Sequence, residues 1–156
     1  MELRVFGLTE KLCQGKPVLG FTDTETVKLD FDELAFRNVK YWAERAMNWF
    51  KLGGYIILKS SKNCYHVVFN RSVSWAQNLK VVAWVSLFSH NRGLTKWLLM
   101  QCIKKSSTLR VSNKNQKQSP RIVYKHGKQD RQIKEFLLFR GQIKDIMKKL
   151  DTERES

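Results

Sequence analysis

Between Arg45 and Gln129 the sequence has no aspartate or glutamate, an acid-free run of 85 residues in a chain of 156. That run holds 16 lysines and arginines, so the chain's formal net charge of +15 originates there. Phosphate contacts to such a segment release counterions, so a polyanion is the partner it suits. A solvated basic face or an acidic protein partner is the alternative. Cysteine is scarce: Cys13, Cys64 and Cys102 are odd in number, widely spaced and form no Cys-x-x-Cys pair. This excludes a disulfide framework and a zinc ribbon, and points to a reducing, intracellular, cytoplasmic setting. Long apolar runs are missing too. The stretch Val81 to Phe88 falls far short of the roughly 18 residues of a membrane span, so no membrane partner is expected. No signal-peptide pattern precedes Thr9, Glu10 and Lys11.

What is present is core-building material. Hydrophobic residues make up 42% and aromatic residues 12% of the chain, which excludes the disordered class that the charge alone would allow. No internal repeat or boundary divides the chain. The reading is one domain over residues 1–150 and a charged tail, 151–156, that frays.

Residues 17–32 read as two strands around an Asp23-Thr24-Glu25 turn. In the second, Val27, Leu29 and Phe31 alternate with Lys28, Asp30 and Asp32, so period 2 places both aspartates on the face opposite the apolar set. Helical spacing follows over 33–51, with Val39, Ala43, Ala46 and Phe50 on one stripe and Gly53-Gly54 as the stop. Tyr55 to Leu58 and Tyr65 to Phe69 are strands around a polar loop, 73–89 is a buried helix, and Leu94 to Ile103 is a second, shorter helix. Thr108 to Val111 and Arg121 to Tyr124 are strands flanking a basic, mobile loop, and Ile133 to Leu150 holds one or two amphipathic helices. The sum is an α+β fold, a small mixed or antiparallel sheet packed by helices. His90 and His126 fall in loops and read as surface residues.

Asp30 and Asp32, two apart on a strand, project side by side and can hold a divalent cation through hard oxygen ligands. Beside a basic groove, such a pair points to metal-assisted phosphoryl chemistry. Downstream come a helix, a strand, then Ser61-Lys62-Asn63-Cys64-Tyr65-His66 and a further strand.

The order acidic strand Leu-Asp-Phe-Asp, helix, strand, Ser-x-x-x-x-His, strand resembles the catalytic core of the archaeo-eukaryotic primase superfamily. In particular it resembles the small primase-polymerases of archaeal plasmids and viruses. The hairpin Val18 to Thr26 leading into the acidic strand is similar as well, and the likeness extends over residues 17–140. The resemblance implies a replication-associated protein that joins nucleotides on a template, DNA rather than RNA. Asp30 and Asp32 would be the catalytic metal ligands for Mg or Mn, and Ser61 and His66 the contacts to the phosphates of a nucleoside triphosphate. Arg110 is a further candidate phosphate contact, and Lys59, Lys62, Lys104 and Lys105 are candidate nucleic-acid contacts.

The chain departs from the family where a third carboxylate precedes the Leu-Arg strand. Counting back from Arg110, the expected acid falls near Lys104. An ammonium there repels a cation by about 4 kcal/mol at 4 Å in an effective dielectric of 20. The family's small loop residues are replaced here by Lys62, Asn63 and Cys64. Either a substitute acid among Asp23, Glu25 and Asp130 completes the site, or catalysis is lost and the groove is kept for binding DNA or RNA. The Lys104 ammonium can also take a metal's place against phosphate. A third reading is a LAGLIDADG-type homing endonuclease, echoed by Leu19-Gly20-Phe21-Thr22-Asp23-Thr24-Glu25; it requires a helix ending at the acid, which Pro17 and the β-branched residues oppose.

Overall fold

A computed structural model describes residues 2–5, 8–13, 16–114 and 116–156. Among them the chain runs β1 (Glu2–Val5), β2 (Leu8–Cys13), β3 (Lys16–Asp23), β4 (Thr26–Phe31), α1 (Phe36–Phe50), β5 (Gly54–Ser61) and β6 (Cys64–Ser72). It continues with α2 (Trp75–Ser89), α3 (Arg92–Lys104), β7 (Ser107–Arg110), β8 (Arg121–Gly127) and α4 (Gln132–Glu155). The class is the expected α+β, and the strands are antiparallel. They divide into two sheets rather than one, ordered β1-β2-β3-β7 and β4-β6-β5-β8.

The division happens at the expected hairpin. β3 pairs with β2 and β7, whereas β4 pairs with β6, so the two strands do not pair with each other. The corner between them uses up its own polar groups. The Asp23 carboxylate accepts from the Thr26 amide at 3.1 Å and hydroxyl at 2.6 Å, and Asn78 of α2 donates to the carbonyls of Thr24 and Thr26 at 3.0 Å each. With these groups committed, the chain crosses from one sheet to the other. The helix that a homing endonuclease needs over Leu19 to Asp23 is strand β3.

Two cores result. One face of β4, with Val27, Leu29 and Phe31 fully buried, packs on the expected stripe of α1 and on α2 and α3. The opposite face of the second sheet meets β3, β7 and α4 through Leu58, Val68, Phe21, Leu109, Ile133 and Phe136. Burying side chains of this size contributes about 1.5–3 kcal/mol each. Ser74 and Asn91 cap α2 and α3, as capping preferences require. For α4 the cap comes from elsewhere: Asn70 of β6 accepts from the amides of Arg131 at 2.9 Å and Ile133 at 3.3 Å.

Helix α4 extends to Glu155, and no glycine or proline follows Gly141 to stop it. One further expectation changes. His126 lies on β8 rather than in a loop, its ring 5.4 Å from that of Tyr55. His90 is exposed, as expected, at the end of α2. No described helix is long and apolar enough to cross a membrane.

Candidate functional site

Where the second core reaches the end of β4, apolar packing gives way to a cleft of about 380 Å³. Its lining includes Asp30, Asp32, Ser61, His66, Lys104 and Arg110, brought together from five segments of the chain.

Register explains the first pair. Asp30 stands directly opposite His66 on β6, so the two side chains share a face as cross-strand neighbours. The imidazole is thus beside the carboxylate, with Nε2 3.5 Å from Asp30 Oδ1. Burial and then the Arg110 charge push the His66 imidazole down to about 3, so it is neutral at physiological pH. Burial, and then the charge of Asp32, push the Asp30 carboxyl up to about 7.

Asp32 lies just beyond β4, where α3 begins. Asn91 donates to the Asp32 carbonyl at 2.7 Å while its own Oδ1 accepts from the Leu94 amide. A Cβ on Gly93 would lie 2.5 Å from the Asp32 Cβ and 2.6 Å from its Oδ2. Gly93 is therefore the residue that lets the start of α3 come up against this carboxylate; in sequence it reads only as a helix stop. Gly93→Ala should destabilise the protein by about 1–3 kcal/mol through overpacking, although alanine is the better helix former. Urea denaturation checks this, and a gain in stability would show that Asp32 can swing clear.

Ser61 reaches the cleft through a bulge. The β5–β6 register shifts between Lys59 and Ser61, so Ser60 and Ser61 both line the cleft where strict alternation would separate them. The turn beyond is held by Asn63, which has φ of 54° and whose carbonyl accepts from the Leu34 amide at 2.9 Å.

On the opposite wall, α3 is tied to β7. Trp97 Nε1 donates to the Thr108 carbonyl at 3.3 Å, and the Thr108 amide donates to Gln101 Oε1 at 3.0 Å. The Lys104 ammonium donates to Thr108 Oγ1 at 2.7 Å, and that hydroxyl shares a hydrogen bond with Thr22 Oγ1, also at 2.7 Å. Trp97 is the one aromatic side chain of the lining.

Arg110 plays a part that the sequence does not reveal. Its guanidinium donates to the carbonyls of Ser112 and of Gln118, the latter at 3.0 Å. It thereby clasps both limbs of the segment 112–120, in which Lys114 and Lys117 bridge each other. The described part of that segment is thus a flap strapped at both limbs, and it adds Lys114 and Lys117 to the lining. Sequence reading noted these two lysines only as part of a basic loop.

The remaining candidates lie apart. Lys59 and Lys62 line an adjoining groove, and Lys105 is the exposed cap of α3, outside both linings. None of the substitute acids reaches the cleft. Asp23 pairs with Lys28 at 2.6 Å, Glu25 is near Ser72 at the surface, and Asp130 accepts from Asn70 at 3.0 Å.

Asp30 and Asp32 alone supply carboxylates to the lining, and no cluster of three metal-ligating side chains occurs among the described residues. Burial first and then the Asp32 charge raise Asp30, and a divalent cation would offset both by favouring the ionised carboxyl. A magnesium-like ion commonly takes one or two carboxylates and completes its shell with water and phosphate oxygens. The pair therefore fits one such ion shared with a phosphate ligand. No family model, curated protein or solved structure matches this chain.

Proposed function

We propose that this is a replication-associated nucleic-acid-binding protein of primase-polymerase type, whose cleft takes a nucleoside triphosphate together with Mg or Mn. The observation that carries the reading is the convergence of Asp30, Asp32, Ser61, His66, Lys104 and Arg110 on one cleft. Asp30 and Asp32 would hold the ion, which when bound lowers the pKa of an attacking hydroxyl and neutralises phosphate charge. The Ser61 hydroxyl and the single N–H of neutral His66 are donors for phosphate oxygens. The Lys104 ammonium, steadied by Thr108, supplies fixed positive charge on the facing wall. If the two carboxylates suffice, the activity is metal-dependent, template-directed nucleotidyl transfer.

A second reading, a primase-like module that only binds DNA or RNA, is favoured by Lys104 standing in the lining without a third carboxylate. Calorimetric titration of Mn and a deoxynucleoside triphosphate into the wild type and an Asp30→Asn/Asp32→Asn variant separates the two. Binding that the variant loses supports the nucleotide site and calls for primer-extension assays. No binding to either protein, with DNA affinity intact, supports the binding module.

A further inference from the structure

We infer that a single polynucleotide strand lies in a second groove beside the carboxylate cleft, with its backbone phosphates on Lys59, Lys62, Lys117 and Arg121. This groove, of about 350 Å³, runs between the β5–β6 turn and the flap. It shares Ser60, Ser61 and Lys117 with the cleft, so the two are continuous. Its described lining contains four cationic side chains, serine hydroxyls and glutamine amides, and among the described residues it has neither a carboxylate nor an aromatic ring. Among the described residues none of the four cations has an acidic partner within ion-pair distance. Lys117 feels a carboxylate charge, that of Asp30 in the adjoining cleft; like charges gathered with so little compensation raise the energy of the free protein and are relieved by a polyanion.

The walls make this a built groove rather than a spray of surface lysines. The Ser60 bulge and the Leu34 amide fix one wall, and the Arg110 clasp fixes the other. Cations on both walls, Lys59 and Lys62 on one and Lys117 on the other, suit a single phosphate backbone between them. With no ring to stack on, the bases face outward and recognition is independent of sequence. The strand's course into the cleft rests on the proposed nucleotide site; the groove itself does not.

The test is fluorescence anisotropy with a labelled oligothymidylate in EDTA, between about 50 and 200 mM salt. Lys62→Gln/Arg121→Gln should weaken binding roughly tenfold at low salt and reduce the log–log salt slope by about 1.4, two single-strand phosphate contacts. Lys148→Gln/Lys149→Gln on α4 removes the same charge away from the groove and should leave affinity and slope unchanged. Asp30→Asn/Asp32→Asn should bind the strand at least as well as the wild type. Wild-type affinity and slope in Lys62→Gln/Arg121→Gln would overturn the inference, as would an equal loss in the α4 variant. Equal binding of a blunt duplex, lost in the same variant, would overturn the single-strand assignment. Failure of the nucleotide site appears separately, in the Mn titration.

Discussion

Lys28→Ala should cost about 3–5 kcal/mol, the expected cost of breaking a buried charge pair from one side. Lys28 lies on the same face of β4 as Asp30 but is fully buried where the two sheets meet. Its ammonium donates to Asp23 Oδ1 at 2.6 Å and to the hydroxyl and carbonyl of Ser107 at 2.7 and 3.1 Å. One side chain of the second sheet thus joins β3 and β7 of the first. Lys28→Met should cost less, since Asp23 keeps both Thr26 donors and the methylene packing survives.

The same lysine gives a signature in pH. Burial lowers it to about 8 from 10.5, with the Asp23 charge opposing the shift. Between those values the unfolded chain binds the proton and the folded one has released it, so stability rises with pH across this window. The gain is about 3 kcal/mol at 1.36 kcal/mol per unit. Tyr55, whose phenol burial pushes up, acts in the opposite direction only above about pH 10. Denaturant midpoints from pH 7 to 10 should climb in the wild type and much less in Lys28→Met, where only the exposed Lys144, also lowered, still contributes; a parallel climb in both would assign the slope elsewhere.

Lys28 also shows where the sequence stops being legible. Period 2 placed it correctly on the Asp30 face, yet nothing local reports that β3 and β7 cover one end of that face and leave the other open. The covering depends on pairs such as Thr22 with Thr108, 86 residues apart. Local signals served well where they were periodic. Val39, Ala43 and Ala46 fixed the buried stripe of α1, whereas the Asp30–His66 neighbourhood needs the β4–β6 register, which no local signal carries. They failed at the corner, where Asp23 and Asn78 turn a hairpin pattern into a crossing between sheets, and at β1 and β2, short strands that gave no reading. They are silent on the carbonyls of Ser112 and Gln118 that Arg110 holds, and on Gly93, whose role depends on the approach of α3 to Asp32.

Asp30 and His66 should cancel in the pH dependence of stability, and substituting either should expose the other. In the folded protein Asp30 titrates near 7 and His66 near 3; unfolded, the values return to about 3.9 and 6.5. From pH 4 to 6.5 the pair binds one proton in both states, on the carboxyl when folded and on the imidazole when unfolded, so its contribution is flat. Asp30→Asn leaves the histidine alone. The unfolded chain then binds the extra proton, and stability falls as pH drops below 6.5, by as much as about 4 kcal/mol. His66→Gln leaves the carboxyl alone. The folded state then binds the extra proton, and stability falls as pH rises from 4 to 7, by a smaller amount because the Asp30 side chain is 28% exposed and partly screened by water. Above pH 7 Asp30→Asn should be the more stable protein, since it removes a carboxylate that burial and Asp32 disfavour. Urea midpoints of the three proteins at pH 4.5, 6 and 8 decide the matter, and parallel profiles would show that the two groups are not held as described. A carboxylate whose removal stabilises the fold is retained for something other than folding, and a cation bound between Asp30 and Asp32 is the ligand that would reverse that sign.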